Sequence, residues 1–163
     1  MIGILLIVIL AWASYSIATR GSAFLDGFAG LLDRPVRGPR GPRTFLSGRE
    51  FVGGEHAGRA VSLFVQQRRN SQLGYLVLGV ATRCTDTSLL ARSRAKEALD
   101  ALASRYNLSL ELDGGWLKAT WMPIGIFIFP GRFDEERWRT VLDGMEDFLA
   151  ELEAGSPTGA QRH

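Results

Sequence analysis

At 163 residues the chain has room for one ordinary domain once a membrane segment and a linker are set aside, and too little for two. Hydrophobic residues make up 46% and charged residues 22%, which excludes disorder as the default, and a single cysteine, Cys84, excludes an internal disulfide. The net charge of +2 conceals an asymmetry: residues 1–133 hold 16 basic and 9 acidic side chains, whereas 134–153 hold 2 basic and 8 acidic. A basic body with an acidic last helix suits oriented contact with charged surfaces.

Residues 1–19 carry no charged side chain. Ile4, Leu5, Leu6, Ile7, Val8, Ile9 and Leu10 form an apolar run, and Trp12 and Tyr15 follow where amphipathic rings suit a headgroup boundary. As a helix, about 18 such residues reach roughly 27 Å, close to the ~30 Å hydrocarbon core. Ala11-Trp12-Ala13 has the form of a signal-peptidase site, but no Lys or Arg precedes the apolar run as it does in signal peptides. The expectation is an uncleaved transmembrane anchor over 1–19. The basic flank from Arg20 onward places the rest of the chain on the cytoplasmic side of the cell (inner) membrane.

Residues 20–43 read as a juxtamembrane segment and linker. Phe24, Phe28, Leu31 and Leu32 share one helical face, which suits either a membrane surface or packing on the domain or a partner. Arg34-Pro35-Val36-Arg37-Gly38-Pro39-Arg40-Gly41-Pro42-Arg43 then predicts an extended spacer. Arg20, Phe24, Phe28, Arg34, Arg37, Arg40 and Arg43 are the expected headgroup or partner contacts. No aromatic residue is interleaved with these arginines as stacking on bases requires, so nucleic acid is not an expected partner.

A globular domain is expected over 44–154. Residues 44–52 are read as a short strand ending at Gly53-Gly54, followed by an alternating strand over 59–67. Residues 73–82 are apolar on both faces, as in a covered central strand. A helix over 89–106 carries an apolar stripe from Ala95 to Tyr106. Leu108, Leu110 and Leu112 alternate into Asp113-Gly114-Gly115, a hairpin signal, and the chain returns over 116–122. Residues 124–129 read as a short buried strand. Asp134 is the expected N-cap of the last helix, and Phe133 and Trp138 have the spacing of a hydrophobic staple. Gly155 ends that helix, and 155–163 form a tail. The predicted fold is α+β: a transmembrane helix, then a mainly antiparallel sheet in the order βββαβββα with two helices on one face.

No catalytic, cofactor or metal motif is present. The histidines, His56 and His163, have no zinc-site spacing to Cys84, and the Gly-x-Ser-x-Gly, Walker and GxGxxG patterns are absent. Glu55-His56 sits in a Gly-rich stretch that reads as an exposed turn. Asp143, Glu146, Asp147, Glu151 and Glu153 resemble a metal cluster only by count and read as the solvated face of an amphipathic helix, with Asp143, Glu146, Asp147 and Glu151 a candidate acidic docking face.

These features predict a non-enzymatic, membrane-anchored accessory or scaffold subunit, partnered by membrane lipids and other subunits of a membrane complex. A membrane-tethered ligand- or lipid-binding sensory module is the alternative. In organisation alone, the plan resembles the H subunit of purple-bacterial photosynthetic reaction centres, with an outward N-terminus, one span and a β-rich cytoplasmic domain. That resemblance implies a capping role and transfers no residue.

Overall fold

The computed structural model describes residues 2–39, 50–67, 74–83, 95–121 and 132–155. They form α1 (Ile2–Ala29), β1 (Asp33–Arg37), β2 (Phe51–His56), β3 (Arg59–Gln67), β4 (Gly74–Ala81), α2 (Ala95–Tyr106), β5 (Leu108–Asp113), β6 (Trp116–Trp121) and α3 (Glu135–Gly155). The fold is α+β, with one six-stranded sheet ordered β1-β2-β3-β4-β6-β5 and every neighbouring pair antiparallel.

Short turns set this topology. Ala57 and Gly58 both take positive φ (45° and 80°) between β2 and β3, and Gly114 and Gly115 (58° and 80°) do the same between β5 and β6. Two left-handed residues in succession match the twist of the flanking strands. The glycine pair at Gly53-Gly54 does not end a strand as expected, because β2 runs through it to His56. A side chain at Gly54 would strike Leu32 and the Asp33 carbonyl at 3.0 Å. This glycine permits close approach of the chain leaving α1.

The register puts Val52, Val61, Leu63, Val65, Leu76, Leu78, Val80, Leu117, Ala119 and Trp121 on one face. There they join a single buried cluster with residues of α1, α2 and α3. Val77 points to the opposite face and is also buried, so the central strand β4 is covered on both sides as its sequence predicts.

Two findings depart from the expected order. First, Asp33–Arg37 is not a spacer but an edge strand paired with β2. Pro35 is tolerated there because an edge strand need not donate every N–H. Second, α1 is one unbroken helix of 28 residues. Its C-terminal end makes it a third helix on the core face, where two were expected. The strand expected at 124–129, the start of α2 expected at 89–94, Cys84 and the tail from 156 lie outside the described residues.

Glycines at 21, 27 and 30 make the sequence look broken after Arg20, at about 1 kcal/mol per helical glycine. Burial of Phe24, Leu25 and Phe28 offsets that cost, at roughly 1.5–3 kcal/mol per side chain. Gly27 has a positive reason to be there, since a Cβ would lie 2.5 Å from the Phe133 ring. Asp134 caps α3 as predicted, its carboxylate accepting the Arg137 N–H at 3.1 Å. The ring of Phe24 stands edge-on to both Phe133 and Trp138, with centroids 5.5 Å apart in each case. Phe28 meets Trp138 edge-on at 5.9 Å.

Among the described residues no helix is long and apolar enough to cross a membrane. The described apolar side chains of α1 run without interruption only from Gly3 to Ala13, about 16 Å of helix.

A polar clamp fixes the helix to the sheet. Glu50 is fully buried, and its two oxygens share the single Ser22 hydroxyl proton, with Oγ at 3.0 and 3.1 Å. Arg37 lies 3.6 Å from Glu50, pairs with Asp26 at 3.0 Å and donates to the Ser22 carbonyl at 3.1 Å. Ser22 therefore marks one end of the sheet, where β1 ends and β2 begins. The register carries Gln67, Gly74 and Trp121 to that end. The His56–Arg59 turn, Ala81 and Trp116 stand at the other.

Two outcomes follow for urea unfolding. Phe28→Ala lowers stability by about 3–5 kcal/mol, whereas a side chain resting on a headgroup layer would cost almost nothing. Arg37→Ala costs about 3 kcal/mol, because it removes a cation facing the buried Glu50 and the ties to Asp26 and the Ser22 carbonyl, while Arg34→Ala stays within about 0.5 kcal/mol.

Candidate functional site

Chemistry-bearing side chains collect at the end of the sheet away from Ser22. His56 and Arg59 close the β2–β3 turn and pair directly across it. Opposite residues of a strand pair share a face, and here that face meets α3. Arg59 grips Glu153 with two parallel hydrogen bonds, Nη1 to Oε1 at 2.9 Å and Nη2 to Oε2 at 2.8 Å. The planar fork suits a carboxylate held in this bidentate manner. Glu153 also accepts from the Thr82 hydroxyl at 2.8 Å and the Arg83 N–H at 3.0 Å. These donors, Arg59 above all, hold its carboxyl at about 2, well below the usual carboxylate range. The same hydrogen bond raises the Arg59 guanidinium above its ordinary value.

One turn of the hairpin away, His56 Nδ1 lies 2.9 Å from Glu146 Oε1. Its Nε2 lies 4.0 Å from Asp143 Oδ1. The Glu146 side chain is only 11% exposed, while that of Asp143 is 56% exposed. Burial pushes the Glu146 carboxyl above its ordinary value, against the opposing pull of the His56 hydrogen bond. An imidazole flanked by two carboxylates is the unit used for general acid–base work, and its donor atoms also suit a divalent cation.

Beside this cluster a cavity of about 520 Å³ opens between α2 and α3. Ala98, Leu102 and Phe148 supply apolar lining, and Asp143, Asp147 and Glu151 supply carboxylates at successive turns of α3. Gly144 lets the helices approach here, since a Cβ would come within 2.9 Å of Leu102.

No protein-family profile, no curated protein and no solved structure matches this chain.

The residues singled out from sequence separate into three groups. Ile4, Leu5, Leu6, Ile7, Val8, Ile9, Leu10, Trp12 and Tyr15 are all exposed on α1, and Arg20 and Arg34 are exposed as well. Phe24 and Phe28, expected at a headgroup or partner surface, are instead buried inside this chain because α1 continues into the core. Arg37, expected beside them, is held by Asp26 and Glu50. Arg40 and Arg43 lie outside the described residues. In the acidic set, Asp143, Asp147 and Glu151 line the cavity, but Glu146 turns inward to His56 and is not part of a solvated face.

Sequence alone assigns Arg59 no role and counts Glu153 only among the solvated carboxylates of the last helix, whereas the two are paired. One signal existed: Glu146 and Glu153 are seven residues apart, on a helical face bordering the buried Met145, Leu149 and Leu152. A carboxylate at the edge of an apolar stripe is where a helix meets its neighbouring strand.

Glu153 has a folded-state pKa below that of a free glutamate, about 4.3. Its contribution is therefore complete above about pH 4.3 and is lost as pH falls towards 2. Glu153→Gln costs about 1–2 kcal/mol at pH 7, discounted for its partial exposure. It also flattens the loss of stability between about pH 4.3 and 2, read from urea midpoints across that range.

Proposed function

We propose that the chain is a single-pass, membrane-anchored accessory or scaffold subunit of a larger membrane complex, with a non-enzymatic docking domain on the cytoplasmic side. One observation carries the reading. Ile4 through Leu10 are seven consecutive large apolar residues, each between 51% and 71% exposed. Seven successive residues sweep the whole circumference of a helix at 3.6 per turn. A helix apolar on one stripe asks for a protein face, whereas one apolar all round asks for lipid.

The sequence supports the same reading over a longer stretch than the described side chains cover, since no charge occurs before Arg20. The basic exit supports an N-terminus-out orientation, and Trp12 and Tyr15 suit a headgroup boundary. Because α1 enters the core without a break, the domain stands at the membrane with the Ser22 end nearest the lipid. The His56–Arg59 end and its acidic cavity then point into the cytoplasm. Partners there are expected to present basic side chains to Asp143, Asp147 and Glu151. That lining is unsuited to an anionic headgroup, which weighs against a lipid-sensing role for this cavity.

Two measurements test the proposal. The full chain is expected in the membrane fraction after alkaline carbonate washing. Ile7→Lys, at about 3 kcal/mol against insertion or roughly 100-fold, shifts it into the soluble fraction. After mild detergent extraction the chain co-migrates with other polypeptides on native gels. A full-length chain that stays soluble and monomeric without detergent overturns the anchor. A lone chain in detergent overturns the scaffold.

A further inference from the structure

We propose that His56 and Asp143 bind a divalent transition-metal ion of the zinc class, with Glu146 as the positioning residue that orients the imidazole.

The argument starts from the ring of His56. Nδ1 lies 2.9 Å from Glu146 Oε1; with the carboxylate ionised this pairing assigns the proton to Nδ1, and the neutral ring then carries its lone pair at Nε2. A ligating histidine typically shows this pattern, giving its second N–H to a carboxylate that sets ring angle and basicity. Nε2 then faces Asp143 Oδ1 at 4.0 Å. That separation is too long for a hydrogen bond. Zinc lies about 2.0–2.2 Å from nitrogen and oxygen donors, so two donors on one tetrahedral ion stand roughly 3.3–3.6 Å apart, and a small rotation of the exposed Asp143 side chain closes the remaining gap.

All three donor atoms lie within 4.8 Å of one another. They come from separate elements, His56 from the β2–β3 turn and the two carboxylates from α3, so an ion ties the hairpin to the helix. Arg59, the cation on the same hairpin, is engaged by its bidentate grip on Glu153. Access is open on one side: Asp143 lines the cavity between α2 and α3. That cavity leaves room for the water ligands that complete a site with few protein donors. Oxygen and imidazole donors without a thiolate select zinc-like or neighbouring divalent ions over soft monovalent copper.

The experiment uses the full chain in mild detergent micelles with ZnCl₂ as probe. Titration calorimetry gives stoichiometry and affinity, and ¹⁵N imidazole spectra give the ligating atom. The chain has only two histidines, His56 and His163, so a His163→Asn background leaves one ring to observe. The expected result is one ion per chain with a micromolar dissociation constant and a shift at His56 Nε2. Asp143→Asn and Glu146→Gln each weaken binding by about 10-fold or more. Glu135→Gln, an exposed carboxylate on the same helix, leaves it unchanged. Asp143 is exposed, so its variant keeps the fold, checked by far-ultraviolet dichroism. Absence of saturable binding below about 1 mM, equal affinity in Asp143→Asn, or no change at Nε2 overturns the site.

Discussion

Everything distinctive about this molecule depends on Phe24 and Phe28 packing against Trp138. That contact makes one helix answer to two environments. Its last two turns are core, and the stretch from Ile4 to Leu10 is exposed and apolar on every side. With no joint between the halves, the helix axis and the sheet become parts of one body. The Ser22–Glu50–Arg37 clamp reinforces this at the point where the two environments meet. A buried carboxylate is costly unless charged and hydrogen-bonded partners surround it. This clamp is thus a specific lock rather than a general adhesive, since it joins Ser22 and Asp26 of α1 to Arg37 of β1 around Glu50.

That rigidity changes what the arginine-bearing segment does. A flexible arm would let the domain wander beneath an anchor. Here β1 returns along α1, and Arg37 is spent on the clamp instead of a headgroup. Under the proposed anchoring, the orientation of the domain would follow from the tilt of α1. A membrane partner would meet the same face of the sheet every time, which is what a scaffold requires. Fixed presentation lowers the ordering cost of association.

Local signals were legible in the sequence, and long-range ones were not. The alternation of β3, the double-faced apolarity of β4, the Gly114-Gly115 hairpin and the Asp134 cap all act over a few residues and all read correctly. The path of α1 did not, because Gly27 looks like a helix breaker until the Phe133 ring is seen beside it. Pro35 looks like a spacer residue until β2 is seen on one side only, leaving an edge where proline is tolerated. The staple expected between Phe133 and Trp138 was half legible. Its two ends were visible in sequence, but the ring that bridges them comes from Phe24, more than a hundred residues away.

The polar site illustrates the same limit. Helical periodicity places Glu146 and Glu153 beside the apolar stripe, yet their partners lie in a hairpin 90 and 94 residues earlier. The electrostatic logic becomes clear only once those partners are found. Residues 134–153 carry 8 carboxylates against 2 cations, and the C-terminal end of a helix already bears partial negative charge. Glu153 near that end would be unfavourable alone. Arg59, projected from the turn at the far end of the sheet, neutralises both the side chain and the dipole. His56 stands beside it and opposes Glu146 and Asp143, about two to three turns towards the N-terminus. The acidic helix is therefore tolerable because the β2–β3 hairpin caps its crowded end, and the same hairpin gives that end its chemistry.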